Sequence, residues 1–393
     1  MNFKMSRLSM TSNTATGINL TRVENGLNGT ATSPVMNIEL FRIIKLVLYA
    51  AIFLISAVGN TMVCAIIVRR KKMKTVTNYF ILNLAVADLA LTCICIPFDI
   101  PVQEMGYIWP YGAVMCKVLY PLQTLTLFAS VYTLTAVGLT RYWAIVHPMK
   151  RQLSITQSKL VIAFIWLGSV VPVFPYANSL KFTRATHTCE EYWSSKKVRE
   201  IFTAVIFVFQ YVLPLGVIGT AYAAIGRELR RRKATKSGNH KLRHLQAQEA
   251  RKVVNMLSVV TMVFAICVLP NNIMWLWLDF GDADQKVEYF WEIVAFCNVV
   301  TFANSAANPV CYTALNETYR REFKRVVYTI FGHAHLRLIL RSISSRTTSF
   351  FTTSTKSNIA NFWKDDCLDD SPVDAANRQR CLEAVNGYTP TQV

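Results

Sequence analysis

Residues 79–101 read YFILNLAVADLALTCICIPFDIP, an apolar run broken by one charge, Asp88, until Asp99 near its far end. About 20 apolar residues in a helix cross roughly 30 Å of hydrocarbon, so this stretch is long enough to span a bilayer. A carboxylate in the middle of such a run is expensive and implies a partner or a purpose. Six further runs have the same character: Ile43–Val68, Met115–Val146, Leu160–Tyr176, Ile201–Ile225, Val253–Leu278 and Ile293–Leu315. The fourth span in chain order, Leu160–Tyr176, is the shortest. Backbone groups in lipid must be satisfied within their own segment, so the runs predict an all-α membrane protein, a bundle of seven transmembrane helices. Composition agrees: 52% of residues are hydrophobic and 17% charged, whereas soluble domains carry about a quarter charged.

The net charge of +19 is unevenly placed. Arg69, Arg70, Lys71, Lys72 and Lys74 follow the first run. His147, Lys150, Arg151 and Lys159 lie between the third and fourth, and a cluster from Arg227 to Lys252 separates the fifth and sixth. All fall on one side of the bundle, which predicts that side to be cytoplasmic, with the N-terminus outside and the C-terminus inside. Positive charge hugging the ends of membrane spans suits lipid headgroups and excludes a nucleic-acid partner. The polar head, residues 1–40, carries sequons at Asn19 and Asn28, fitting extracellular glycosylation. No cleavable signal is visible, so the first span is expected to direct insertion itself.

Four parts follow: the head (1–40), the core (41–315), a short juxtamembrane segment (316–330) and a tail (331–393). Tyr319, Phe323 and Val327 recur at four-residue spacing, with Arg320, Arg321, Lys324 and Arg325 on other faces. This predicts an amphipathic helix lying on the inner leaflet. Ser342–Ser357 is rich in Ser and Thr, composed for disorder; it is either an inert solvated tail or a phosphorylation segment. No internal repeat is present, which argues against a transporter built from repeated halves. The ending Thr391-Gln392-Val393 fits a PDZ-ligand pattern.

Polar side chains recur within the runs: Asn60, Asp88, Ser130, Asn304, Ser305 and Asn308. If the helices bundle, these meet at one depth. Two readings stay open, interhelical hydrogen bonding that glues the bundle or a hydrated cation, sodium, at Asp88. Pro214, Pro270 and Pro309 interrupt the fifth, sixth and seventh runs, and each removes a backbone hydrogen bond and permits a kink.

Taken in order, these residues resemble the rhodopsin-like (class A) G-protein-coupled receptors over residues 43–328. The matching residues are Gly59-Asn60, Leu84-Ala85-Val86-Ala87-Asp88, Trp109-Pro110-Tyr111-Gly112, Cys116, Arg141-Tyr142, Trp166, Pro214, Tyr222, Phe264, Cys267, Pro270 and Asn308-Pro309-Val310-Cys311-Tyr312. The resemblance implies a receptor of the plasma membrane that is itself no enzyme and needs no cofactor. It implies partners too: an extracellular ligand, a heterotrimeric G protein, and arrestin and receptor kinases at the Ser/Thr-rich tail. It implies a disulfide between Cys116 and Cys189. Arg141 is the family's transducing residue, expected to swing toward Tyr222 and Tyr312 as the sixth helix moves outward.

Two positions depart from the family. Thr140 stands where an acid usually precedes the arginine, and Ala250, beside Glu249, stands where the second acid is expected. This predicts raised basal signalling, or a resting state held by other contacts. Val268 replaces the bulky tryptophan two residues before Pro270.

The ligand class narrows by chemistry. Gln123 occupies the place of the Asp of amine receptors, and Phe302 that of the retinal lysine of opsins. A neutral amide or a phenyl ring does neither job. Acids gather at the outer ends instead: Asp99, Glu104, Glu190, Glu191, Asp279, Asp282, Asp284 and Glu288, interleaved with Trp109, Tyr192, Trp193, Trp275, Trp277 and Trp291. An interfacial aromatic belt accounts for the rings; acid with aromatic also suits a cationic, aromatic peptide end. Gln123 and Asp279 are similar to receptors of the RFamide, neuropeptide Y and neuropeptide FF group. That likeness implies Asp279 pairing with a ligand arginine and Gln123 facing an amidated end.

Overall fold

The computed structural model describes residues 34–234 and 240–328. Seven of its helices are long and apolar enough to cross a membrane. They are α1 (Pro34–Arg69), α2 (Val76–Glu104), α3 (Gly112–Val146), α4 (Ile155–Ser179), α5 (Lys196–Arg231), α6 (His240–Gly281) and α7 (Phe290–Leu315). A further helix, α8, covers 317–328. Two compact units divide at Ile44. Within the first, the described residues begin α1, with Glu39 and Arg42 3.8 Å apart. The second holds the bundle.

Polar caps set where the helices begin. Thr75 accepts the Asn78 N–H at the start of α2, and Ser195 accepts that of Val198 at the start of α5. Ser154 and Gln157 form a reciprocal capping box on α4. Each cap is worth about 1 kcal/mol. The box starts α4 ahead of its apolar run and Pro172 and Pro175 do not end it, so the helix exceeds the expected Leu160–Tyr176. Leu91–Cys95 and Val208–Val212 wind as wide π turns shortly before Pro97 and Pro214, which have no N–H to complete a normal turn.

One feature adds to the all-α architecture: an antiparallel hairpin of β1 (Leu180–Thr183) and β2 (Thr188–Glu191), with Phe182 opposite Cys189. It lies between α4 and α5.

Large apolar side chains point both ways. Phe80, Leu84, Val131, Phe264 and Phe302 pack in one core. Leu167 (65% exposed), Val171 (71%), Phe174 (64%) and Ile266 (68%) face outward. An apolar belt of that kind is tolerated only against hydrocarbon. Gly59 allows α1 and α7 to meet, because a Cβ there would lie 2.6 Å from Pro309 Cγ. On α8, Tyr319 is buried and donates to Asn78 Oδ1 at 3.1 Å, while Glu322 pairs with Arg70 at 3.0 Å. Phe323 packs against the core and Val327 is exposed, the two-faced pattern expected of this segment. The sequons at Asn19 and Asn28, the Ser342–Ser357 stretch, the Glu249 side chain and Thr391-Gln392-Val393 lie outside the described residues.

Candidate functional site

At the outer end, Cys116 on α3 is disulfide-bonded to Cys189 on β2, so the hairpin is tied to the top of α3. The turn of the hairpin is held again where the Trp109 N–H donates to the His187 carbonyl at 2.6 Å. Trp109 itself is buried, its indole N–H bonded to the Gly112 carbonyl at 2.8 Å. These contacts place Glu190 and Glu191 beside the mouth of the bundle. Glu190 is half-buried, and Glu191 leaves much of its side chain exposed while its carboxyl is tucked against Trp193.

The acids of the mouth have assigned partners. Asp99 on α2 is buried and accepts from Gln103 Nε2 at 2.7 Å, which also donates to Tyr49 Oη at 3.0 Å. One turn further, Glu104 lies 2.7 Å from Lys45 Nζ, a pair largely removed from solvent. Asp279 on α6 is buried between two α5 side chains, Arg199 Nε at 2.9 Å and Thr203 Oγ1 at 2.5 Å. Beyond it Lys196 Nζ pairs with Asp282 at 2.7 Å, and that hydrogen bond holds the Asp282 carboxyl below the usual carboxylate range.

Trp193 Nε1 donates to Glu191 Oε2 at 2.7 Å, and its ring packs on Phe202 at 4.7 Å. Desolvation raises the Glu191 carboxyl above its usual range; the Trp193 bond opposes the rise, the charge of Asp279 adds to it and Arg199 opposes it. Glu191, Asp279 and Arg199 therefore sense one another as a charge cluster. Gln123 is half-buried, Phe302 is fully buried against Tyr49 at 5.9 Å, and Trp275 is more than a third exposed, outside the buried clusters. Chemically the mouth offers buried carboxylates and aromatic faces, a surface that takes cations.

Midway, Ser305 Oγ donates to Asp88 Oδ1 at 3.0 Å and Asn308 Nδ2 to Oδ2 at 2.7 Å. Asn60 Nδ2 reaches the Ser305 carbonyl at 3.0 Å, and Ser56 and Thr92 hydroxyls lie 2.6 Å apart. This joins α1, α2 and α7. Ser130 is buried, as is Asn304, whose Oδ1 has no hydrogen-bond partner. The Asp88 carboxylate thus takes one hydroxyl and one amide N–H from α7. Among the described residues no three His, Cys, Asp or Glu side chains gather as a metal centre.

At the inner end, Arg141 is half-buried and its Nε has no hydrogen-bond partner. The preceding Thr140 hydroxyl donates along its own helix to the Ala136 carbonyl at 2.6 Å. Tyr312 is buried with an unpartnered hydroxyl, its ring 5.5 Å from Tyr319. Tyr222 packs partly buried beside Gly138 and against Ile225 and Val254, a cluster that Tyr142 also joins. Phe264 and Val268 are fully buried on α6, and Asn272 Nδ2 donates to the Val268 carbonyl at 3.0 Å, near Pro270.

Sequence reasoning did not single out Lys45, Gln103, Arg199 or Thr203. A lysine inside an apolar run was a signal for the first, and Arg199 and Thr203 one helical turn apart were a signal for a shared partner.

Residues 59–312, more than half the chain, match the family described as 7 transmembrane receptor (rhodopsin family). Neuropeptide FF receptor 1 of Homo sapiens is 34% identical over 296 residues, covering 71% of this chain and 69% of that protein. The substance-P receptor of Aquarana catesbeiana is 34% identical over 288 residues, 71% and 69%. Galanin receptor type 1 of Mus musculus is 33% identical over 301 residues, 75% and 84%. With seven spanning helices, the tied hairpin and Arg141 at the foot of α3, the chain belongs to the rhodopsin family of G-protein-coupled receptors, multi-pass membrane proteins that are not enzymes.

Proposed function

We propose that this chain is a plasma-membrane receptor for an extracellular neuropeptide, ending in Arg followed by an amidated aromatic residue, that activates a heterotrimeric G protein. The observation that carries the ligand class is the outer mouth, where Asp99 and Asp279 are buried carboxylates on opposite helices with Glu191 beside the second. A buried carboxylate favours a cation that brings its own hydrogen bonds. The names of the relatives, receptors for neuropeptide FF, substance P and galanin, support a peptide. Gln123, Glu190 and Trp275 line the remaining expected contacts, with Gln123 toward the amide end. The head faces outside, glycosylated at Asn19 and Asn28, and the tail recruits receptor kinases and arrestin inside. A sodium ion at Asp88, with Ser130, Asn304, Ser305 and Asn308, stabilises the resting bundle.

Signalling follows from the inner end. Ligand at the mouth shifts α6 about Pro270, moving Phe264, and Asn308-Pro309 on α7 lets Tyr312 approach Arg141 with Tyr222. Arg141 and Tyr142 then meet the G protein. A second reading, substantial activity without ligand, is favoured by one observation: Arg141 Nε has no hydrogen-bond partner among the described residues, with Thr140 in place of an acid before it.

A panel of amidated peptides applied to cells expressing the chain tests the ligand class. Arg-Phe-amide peptides activate in a dose-dependent way, and free-acid or Arg→Glu versions lose potency. Equal potency of all three versions rules out this ligand class. Full activation in their absence favours the second reading.

A further inference from the structure

We infer that Arg199 is a resident occupant of the ligand-cation site, a tethered guanidinium that an incoming ligand arginine must displace from Asp279. The inference rests on the peptide reading above and names the residue that sets its threshold.

Asp279 is buried on α6, and both its oxygens are already engaged from α5. Arg199 and Thr203 stand one turn apart on one face of that helix, so the carboxylate is held by a guanidinium and a hydroxyl together. The two holds differ in kind. The Thr203 hydroxyl makes a directed hydrogen bond at 2.5 Å, whereas Arg199 Nε sits 2.9 Å from Oδ1 without a directed hydrogen bond. The ion pair is thus a matter of charge more than of geometry and lacks the bidentate fork that makes arginine–carboxylate pairs strong.

The surroundings favour exchange. Glu191 lies within electrostatic reach of both Arg199 and Asp279 and can receive the displaced guanidinium. Lys196, the neighbouring cation, is committed to Asp282 at 2.7 Å. Acid outnumbers base here, since Glu191 and Glu200 both act on Asp279 beside the one Arg199, and a ligand guanidinium offsets that excess. Asp99 across the mouth differs, since its bonded partner is the neutral Gln103. A site whose competent state is only partly populated binds its ligand more weakly by that fraction. Arg199 therefore lowers affinity for arginine-bearing ligands while keeping Asp279 from being a bare buried charge at rest.

The experiment compares an Arg-Phe-amide peptide with its citrulline counterpart, which keeps the shape and loses the charge. Binding is measured on membranes carrying the full chain as wild type, R199Q, R199K and R199Q/D279N. In R199Q the Arg-to-citrulline affinity ratio rises by about tenfold, the lower range for close charge pairs. R199K, which keeps a resident cation and the fold, stays near wild type. R199Q/D279N loses the gain. A ratio that is unchanged or lower in R199Q overturns the inference, as does a rise in R199K equal to that in R199Q. If neither peptide binds any of these receptors, the ligand reading fails separately. The inference is then decided on purified receptor with methylguanidinium as probe. It predicts a larger rise in melting temperature for R199Q than for wild type, and equal rises overturn it.

Discussion

The acids of the outer mouth and Arg141 at the foot of α3 are held in opposite ways. At the outer end Glu104 meets Lys45, Asp279 meets Arg199 and Asp282 meets Lys196, all within 2.9 Å. At the inner end Arg141, the residue expected to carry the signal, has an Nε with no hydrogen-bond partner. The difference teaches where control resides. Paired outer charges can exchange partners when a charged ligand arrives, so they set affinity and threshold. An inner arginine preceded by Thr140 in place of an acid stands beside a packed cluster that holds Tyr142, Tyr222, Ile225 and Val254. Packing yields to helix movement more readily than a buried ion pair does.

Arg141→Ala has the strongest consequence. It leaves peptide affinity nearly unchanged and lowers stimulated nucleotide exchange by about 100-fold, within the usual span of coupling between sites. Radioligand binding and nucleotide exchange on the same membranes read the two effects. Equal loss of both would place Arg141 in the fold rather than in transmission. Next comes the outer pair. Lys45→Met takes the cation from a pair largely removed from solvent and costs about 3 kcal/mol of stability, as removing one member of such a pair does. Thermal unfolding of the purified receptor measures it, and a change below about 1 kcal/mol would mean that water reaches the pair freely.

Adding an acid at the inner end makes the ends alike. Thr140→Asp supplies Arg141 with a partner and lowers basal signalling by about fivefold. No fall in a ligand-free assay would show that packing alone holds the resting state. The least effect is at the rim. Lys196→Met removes a pair whose members are each about 40% exposed, and thermal unfolding of the purified receptor shifts least of all.

How far these ends could be foreseen differs as well. The seven helices were legible because a run of about 20 apolar residues has few other uses. Thr140 and Val268 were legible as departures from a family pattern. The hairpin was not, since Leu180–Thr183 and Thr188–Glu191 are four residues each and their position depends on the Cys116–Cys189 bond. Nor was the Arg199–Asp279 pair, whose members lie on α5 and α6 and meet only when the bundle closes. Sequence reasoning put Asp279 among the acids of the outer ends and left its partner Arg199 unseen. Asp88 was expected among six polar side chains. Ser305 and Asn308 bond it directly, Asn60 reaches Ser305 through its backbone carbonyl, and Asn304 and Ser130 are buried without a bond to it.

The central claim is that the acids of the mouth read a ligand arginine by charge. Its most direct test is a matched reversal, with Asp279→Lys receptor against a peptide whose arginine is replaced by glutamate, read as G-protein nucleotide exchange. The account predicts that the native peptide loses potency on the variant and that the reversed peptide recovers a large part of it, while failing on wild type. A reversed peptide no more potent on Asp279→Lys than on wild type would contradict it.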